Sequence, residues 1–211
     1  VKNKRNLIWI YIDIQRSDFI PIATKRGFFF HSCEEGYILV VKRIKENAII
    51  PTAANHTLGV GAVVINDKNE ILVIKERISN LGYKLPGGHI DNGEMISTAV
   101  SREVLEETGI IVEFESIISL GHFYPHQFHK SNLYVICTAN PKTFEINIQD
   151  IEEILDAKWV DVNAYLSDEK VLDYSKAIIV AALEEKGFER INQEVLAHIK
   201  KDFELFFPIK K

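Results

Sequence analysis

Cysteine is scarce in this chain of 211 residues, which contains only two. Cys33 and Cys137 are isolated in the sequence, and each has apolar or aromatic neighbours. Two isolated thiols exclude a disulfide-rich scaffold and a cysteine-based metal or redox motif. We therefore predict that both are reduced structural residues.

The sequence also lacks a long hydrophobic segment, an internal repeat and a low-complexity tract. No apolar run approaches the ~20 residues that a membrane-spanning helix needs. The first residues do not show the pattern of a signal peptide. These absences predict a cytoplasmic protein that does not associate with a membrane.

An excess of basic residues is missing as well. The chain has 25 Lys and Arg against 30 Asp and Glu, for a net charge of −5. An acidic chain without a basic stripe argues against nonspecific nucleic-acid binding and against mRNA decapping. The 46% hydrophobic and 26% charged residues are ordinary for a globular protein. The length allows one good core, or one core and a small satellite.

The most informative segment that is present runs from residue 88 to residue 110. The stretch from Glu94 to Thr108 contains no Gly or Pro and is followed by Gly109, which predicts a helix with a glycine stop. Its apolar residues share an arc about 140° wide: Ile96, Ala99, Val100 and Val104. Glu103 and Glu107 fall inside that arc, and Glu106 lies just beside it. Inward carboxylates are unusual because unpaired buried charge is strongly disfavoured.

Two further penalties act on the same three acids. Glu103, Glu106 and Glu107 stand at i, i+3 and i+4, so they repel one another. They also crowd the C-terminal end of the helix, where the macrodipole disfavours anions. Several broken local rules indicate a functional site that lacks its partner, and the simplest partner is a divalent cation. Oxygen ligands favour Mg²⁺ or Mn²⁺. The alternative, a solvated acidic helix face, is the commoner explanation of an isolated Glu-Glu pair.

The whole segment matches the pattern Gly-x5-Glu-x7-Arg-Glu-U-x-Glu-Glu-x-Gly-U, from Gly88 to Ile110, with Val104 and Ile110 at the apolar U positions. This pattern resembles the signature of the Nudix hydrolases at every specified position. The resemblance implies an α/β/α sandwich with a mixed sheet. It also implies Mg²⁺-dependent hydrolysis of a nucleoside diphosphate linked to another moiety.

The resemblance assigns roles within the signature. Metal ligation falls to the acids and to one backbone carbonyl: Glu103, Glu106, Glu107 and Gly88. Glu94 supports the site, in some relatives through a water on the metal, and Arg102 orients the acids through charge-assisted hydrogen bonds. In some relatives a signature glutamate, here Glu106 or Glu107, is itself the general base.

A second candidate for the general base lies outside the signature. Glu152 and Glu153 precede a strand predicted at Ala157–Val160, and many relatives carry a glutamate over the metals ahead of such a strand. The spacing does not choose between the two residues. An acidic solvated loop is an equally good interpretation of this segment.

Substrate selection is expected downstream of the signature. Phe123 and Tyr124 are able to stack on a base, and Pro125 lies where ADP-ribose pyrophosphatases often have proline. These residues make ADP-ribose or an NADH-like dinucleotide the expected substrate, although most exposed loop residues of this kind are nonspecific. The alternative function is a noncatalytic nucleotide-sensing or protein-interaction Nudix module. A homodimer is possible in either case.

The chain is predicted to divide into a β-α-β-β domain at residues 1–46, a linker at 47–56 and the Nudix domain at 57–211. Segments of the first domain, such as Ile20–Ala23, are similar to the small domain of one Nudix subgroup. That subgroup includes an animal protein encoded antisense to a fibroblast growth factor and plant relatives acting on ADP-ribose and NADH. The Nudix domain is expected to end in two helices, at residues 171–185 and 192–206.

Overall fold

The computed structural model describes residues 5–79, 82–191 and 202–209. The chain forms two compact units, Val1–Asn55 and His56–Lys211. Across the described residues, no helix combines the length and the apolar character that crossing a membrane requires. Both cysteines are free, Cys33 at the surface of the first unit and Cys137 buried in the second.

The first unit has the predicted β-α-β-β order. Its elements are β1 (Leu7–Asp13), α1 (Phe19–Lys25), β2 (Phe29–Cys33) and β3 (Tyr37–Arg43). The strands form an antiparallel sheet in the order β1-β3-β2. Its small core joins Ile12 of β1, Ala23 of α1 and Val40 of β3.

The second unit is built on a mixed sheet. Its elements are β4 (His56–Val64), β5 (Glu70–Glu76), α2 (Ile96–Thr108), β6 (Val112–Phe123), β7 (Ser131–Pro141), β8 (Ile154–Asp161), α3 (Val162–Ser167), α4 (Asp173–Glu184), β9 (Phe188–Arg190) and β10 (Phe206–Pro208). The larger sheet has the order β10-β9-β6-β7-β4, and β5 pairs with β8 separately. Strands β4 and β7 are parallel, whereas β6 and β7 are antiparallel.

Helices cover both faces of this sheet. Successive residues of β7 point to opposite faces, as the period of a strand requires: Val135 and Cys137 pack in the cluster that contains Val100 of α2, and Ile136 packs in the cluster that contains Ile179 of α4. All five side chains are at most 2% exposed. The predicted α/β/α sandwich with a mixed sheet is confirmed.

Two predicted helix boundaries are wrong. Helix α2 begins at Ile96, so Glu94 lies in the turn before it. The last predicted helix, at 192–206, falls mostly on residues 192–201, which lie outside the described residues, but its end at Phe206 belongs to strand β10. Phe206 pairs with Arg190 of β9, and its ring lies 5.6 Å from that of Phe114. Pairing and packing against the sheet therefore override the helical pattern at this end.

Candidate active site

Residues 86–90 follow the outer edge of β4 and place two glycines beside α2. The N–H of Val60 donates to the carbonyl of Gly88 at 2.9 Å. Gly87 has a φ of +146°, and a Cβ atom there would lie 2.2 Å from the carbonyl oxygen of Val60. Only glycine fits this crossing. The N–H of Gly87 is thereby available to a side chain of α2.

Glu107 receives that N–H and is the most enclosed acid of the site. It is 4% exposed, and its Oε2 accepts the Gly87 N–H at 2.7 Å. Burial raises the pKa of Glu107 to about 8, although the Gly87 N–H lowers it. The charge of Lys84 also lowers this pKa, whereas the charges of Glu103 and Glu153 raise it further. A cation bound beside Glu107 would hold it ionised at neutral pH.

Arg102 joins the other signature acids into one hydrogen-bonded cluster. Its Nε and Nη2 donate to the two oxygens of Glu94 at 3.0 and 2.8 Å. Its Nη1 donates to Glu103 at 2.9 Å and to Glu106 at 3.0 Å. The carbonyl of His89 accepts a further bond from Nη2 at 2.9 Å. The hydrogen bond with Glu94 is the largest cause that raises the pKa of Arg102 and lowers that of Glu94. Arg102 is therefore a permanent cation in the middle of three acids.

Glu103 lies against Gly88. A Cβ atom at Gly88 would be 2.6 Å from Oε2 of Glu103, so the missing side chain makes room for this carboxylate. The Glu103 side chain is 13% exposed, and burial raises its pKa even though Arg102 lowers it. Glu106 is more open, with 45% of its side chain exposed, and Arg102 holds one of its oxygens. Exposure to solvent therefore increases along the acids, from the buried Glu107 through Glu103 to the partly open Glu106.

These groups offer the oxygen donors that hard divalent cations prefer. The hydrogen bonds to Arg102 use Oε1 of Glu103 and Oε2 of Glu106, which leaves the second oxygen of each acid outside those bonds. The carbonyl of Gly88 has a second lone pair beside the one that accepts its backbone hydrogen bond. Carboxylate and carbonyl oxygens are suited to Mg²⁺ or Mn²⁺. The donor set therefore fits such an ion in its chemistry.

The acids are held by the protein rather than arranged around a common point. Among the residues that the structure describes, no three His, Cys, Asp or Glu side chains form a ready group of metal ligands. Arg102 binds one oxygen each of Glu103 and Glu106, and Gly87 binds one oxygen of Glu107. Binding a cation would exchange some of these hydrogen bonds for metal–oxygen bonds.

The loop between β7 and β8 packs against the C-terminal end of α2. Gly109 ends the helix with a φ of +75°, in the left-handed conformation predicted for a glycine stop. The N–H groups of Gln149 and Asp150 donate to the carbonyl of Glu106 at 3.0 and 2.8 Å. They satisfy a carbonyl that the helix itself leaves unpaired. The loop is therefore fixed directly beside the acids.

Glu153 is the loop acid that the structure connects to the site. Its N–H donates to Oδ1 of Asp150 at 3.1 Å, and its carbonyl accepts the N–H of Arg77 at 2.9 Å. After burial and the other nearby groups, its negative charge further raises the pKa of both Glu103 and Glu107. Glu153 therefore lies within electrostatic reach of the two most buried acids of the helix.

The predicted substrate residues follow one another where β6 ends: Phe123, Tyr124 and Pro125. The ring of Phe123 meets that of Tyr174 in α4 edge to face at 6.0 Å, so Phe123 is turned toward α4. Tyr124 is 70% exposed. The ring of His126 lies 6.4 Å from that of His89, the residue that follows Gly88. His126 therefore lies near the segment that contains Gly87 and Gly88, whereas Phe123 packs against α4.

Sequence reasoning missed two residues close to Glu107. Lys84 carries the positive charge that lowers the pKa of Glu107. Tyr134 of β7 is buried, and burial together with the charges of Glu107 and Glu103 raises its pKa. Lys84 had a local signal, since it directly precedes the turn Leu85–Gly88. No local pattern in the sequence indicated Tyr134, because the position of Tyr134 beside Glu107 depends on how β7 pairs with β4.

Glu204 was also missed, and it acts at the other end of α2. Its side chain is 4% exposed. One oxygen accepts the N–H of Ser97 at 3.3 Å, and the other pairs with Arg190 at 3.2 Å. A carboxylate at this position caps the helix and complements its dipole. The two contacts join residues 107 and 14 positions apart, so no local pattern indicated them.

Comparisons with known proteins agree with this architecture. A family model described as the NUDIX domain matches residues 55–181, and one described as the Nudix hydrolase domain matches residues 1–44. The chain is 37% identical to Nudix hydrolase 8 of Arabidopsis thaliana over 166 residues, which cover 75% of this chain and 44% of that protein. It is 35% identical to nucleoside diphosphate-linked moiety X motif 6 of Xenopus laevis, over 84% of each protein.

A solved structure has the same fold. The NUDIX domain of Shewanella oneidensis NrtR, solved in complex with ADP ribose, superposes with a TM-score of 0.52 at 23% identity, covering 63% of this chain and 89% of that one. The chain spans about half the length of the curated plant relatives that it matches.

Proposed function

The chain belongs to the Nudix family, and we propose that it hydrolyses the pyrophosphate bond of a nucleoside diphosphate linked to another moiety, with Mg²⁺ or Mn²⁺ as its cofactor. The observation that carries this proposal is the cluster of Glu94, Glu103 and Glu106 around Arg102, with Glu107 buried beside Gly87. A helix and the turn before it gain no stability from four acids and one arginine at these positions. A site that must hold cations against a polyanionic substrate requires them.

Each residue has a defined task in this proposal. Glu103, Glu106, Glu107 and the carbonyl of Gly88 would hold the cation. When bound, the cation neutralises the diphosphate oxygens and lowers the pKa of the attacking water. Arg102 fixes the directions of Glu103 and Glu106 through its Nη1, and the two bonds to Glu94 fix Arg102 itself. Glu94 thus positions the site through Arg102.

The attacking water must lose a proton to a group within reach. We assign this role to Glu153, because its charge acts on Glu103 and Glu107 and its backbone is anchored on both sides. The proton passes from the water to the Glu153 carboxylate as the new P–O bond forms. The bond from the same phosphorus to the bridging oxygen breaks, and the second phosphoryl group departs with that oxygen and the other half of the substrate.

ADP-ribose is the first substrate that we propose, and an NADH-like dinucleotide is the second. The relative from Xenopus laevis is named for a nucleoside diphosphate linked to another moiety, and the NrtR domain was solved with ADP ribose. Both compounds combine a diphosphate with an adenosine. Water added to ADP-ribose at this bond gives AMP and ribose 5-phosphate.

The proposal is tested by a hydrolysis screen with product identification. The full chain is incubated with ADP-ribose, NADH, NAD⁺, sugar nucleotides, nucleoside triphosphates and capped RNA, with Mg²⁺, with Mn²⁺ and with a chelator. We expect cleavage of ADP-ribose or a dinucleotide with either ion and none with the chelator. Calorimetric binding of a nucleotide without any product in the presence of both ions would replace the enzyme by a nucleotide-sensing module.

Glu153→Gln is expected to lower kcat by roughly 10²- to 10⁴-fold, the usual contribution of a general base. Glu152 is exposed and next to it in the same loop, so Glu152→Gln is the matched control and should change kcat by less than about threefold. The pH dependence of kcat separates a base from a positioning group, because the loss of activity on the acidic side should disappear only in the Glu153 variant. The opposite ranking of the two variants would assign the base to Glu152.

A further inference from the structure

We propose that two copies of this chain associate through the outer edge of β1, which joins their two three-stranded sheets into one continuous antiparallel sheet. The occupant of this edge is thus a second copy of the same strand. The surface belongs entirely to the first unit, and its role is separate from the proposed hydrolysis.

The backbone of β1 has one free side. On its inner side, the N–H of Ile44 donates to the carbonyl of Asn6, and the N–H of Ile14 donates to the carbonyl of Gly36, both at 2.9 Å. In an antiparallel pair the bonded residues alternate, so the even-numbered residues of β1 face β3. The odd-numbered ones face outward: Leu7, Trp9, Tyr11 and Asp13. Within residues 5–79, 82–191 and 202–209, no strand pairs with this outer side.

This edge lacks the features by which proteins protect exposed strands. Natural edges carry lysine, proline or a bulge, or are very short. β1 has seven residues, contains neither lysine nor proline, and pairs with β3 without a register shift. The opposite edge of the sheet differs, because β2 has five residues and a register shift between Phe30 and Ser32. Of the two edges, β1 is therefore the one suited to pairing.

The apolar side chains of β1 are exposed as well. Ile8 is 41% exposed, Ile10 is 37% exposed and Tyr11 is 67% exposed. Ile10 also lines a hollow of about 420 Å³ together with Phe19 and Ile22 of α1, which are 41% and 43% exposed. Pairing at the edge would cover Ile8 and Ile10 and extend this apolar surface across the two copies.

The sequence of β1 is complementary to itself in one antiparallel register. If Trp9 stands opposite Trp9 of the second copy, Leu7 faces Tyr11 and Ile8 faces Ile10, so every central pair is apolar. The outward-facing odd residues then lie opposite one another and exchange two backbone hydrogen bonds in each pair. At both ends of the paired strands, Arg5 of one copy faces Asp13 of the other. Opposite charges directly across a strand pair stabilise it.

Other registers lose this match. A shift of one residue would place outward-facing backbone groups against inward-facing ones. A shift of two residues keeps the hydrogen bonds but sets Asp13 opposite Leu7 in one direction and Arg5 opposite Tyr11 in the other. Arg5, two residues before β1, and Asp13, its last residue, therefore specify the register, and the apolar centre supplies the attraction.

The first test is sedimentation of the full chain at several concentrations, with Tyr11→Pro as the variant. The wild-type chain should sediment at twice its 24.1 kDa. Proline removes the outward N–H of Tyr11, which faces away from β3, and edge strands tolerate proline at such positions. Losing one hydrogen bond in each copy should weaken association by roughly 30-fold or more. Tyr11→Phe keeps the N–H and the ring, so it is the matched control and should remain a dimer.

The second test uses the charges at the strand ends and does not depend on how proline is tolerated. In homodimers of Arg5→Glu, two carboxylates face each other at both ends of the paired strands. In homodimers of Asp13→Lys, two cationic side chains face each other at the same places. Each variant alone should associate roughly 10-fold more weakly, and an equal mixture should recover the wild-type affinity because each copy then meets opposite charges. A monomeric wild-type chain, an unchanged Tyr11→Pro dimer or no recovery in the mixture would each overturn the proposal.

Discussion

Glu106→Gln should lower metal-dependent turnover by roughly 10²- to 10³-fold, the range measured when one preorganised charge-stabilising group is removed from an active site. The variant loses a negative oxygen ligand, but its amide oxygen is still able to accept the hydrogen bond from Arg102. Because 45% of the Glu106 side chain is exposed, the free energy of unfolding should change by less than about 0.5 kcal/mol. Turnover and urea denaturation measured on the same preparation separate the two effects.

Glu113→Gln is the matched control for this experiment. Glu113 lies on β6, its side chain is 67% exposed, and it pairs with Lys142 at the surface. Its replacement makes the same chemical change in the same unit, so turnover should stay within about twofold of the wild-type value. Mn²⁺ binding should weaken in the Glu106 variant and not in the control. Equal turnover in the two variants would remove Glu106 from the set of metal ligands.

The features predicted from the sequence depend on local spacing. Gly109 ends α2 as its position indicated, because a glycine after a helical stretch adopts the left-handed conformation that stops a helix. The inward position of Glu107 follows from its angle on the same helix, and the structure leaves it 4% exposed. The fold class was predicted because one helical signature of this length resembles a single family. The catalytic roles of these acids stay predictions until the variants are measured.

The features that the sequence did not predict depend on contacts between distant segments. Glu204 caps α2 although it lies 107 residues from Ser97 in the sequence. Strand β10 forms because Phe206 pairs with Arg190 of β9 and packs its ring against that of Phe114. The sequence predicts the start of α2 two residues early because Glu94 has a good helix propensity. Its side chain instead turns back to accept the N–H of Asp91 at 3.1 Å and to bind Arg102. Tertiary contacts of this kind override local helix propensity where they satisfy more polar groups than the helix would.

Glu107→Gln is expected to stabilise the metal-free protein at about pH 8 while it abolishes hydrolysis. The pKa of the Glu107 carboxyl is 4.5 as its ordinary value and is raised to about 8 in the folded protein, chiefly by burial. The folded state therefore holds this proton more tightly than the unfolded state. The resulting stability is fully present below about pH 4.5 and is lost as the pH rises toward 8. Glutamine is neutral at every pH and keeps an oxygen for the N–H of Gly87.

Urea denaturation in the presence of a chelator at about pH 5 and about pH 8 measures this difference. The wild-type protein and the Glu107→Gln variant should be similar at the lower pH, and the variant should gain on the order of 4 kcal/mol over the wild type at the higher pH. Saturating Mg²⁺ should reverse the ranking, because a cation stabilises the ionised wild-type carboxylate and binds the variant poorly. Glu107 would thus lower the stability of the metal-free protein, as is common for groups that serve a function such as the proposed metal binding. If the variant shows no gain near pH 8, Lys84 and Gly87 already compensate the charge of the buried Glu107 carboxylate. The reason to propose a cation beside Glu107 is then lost.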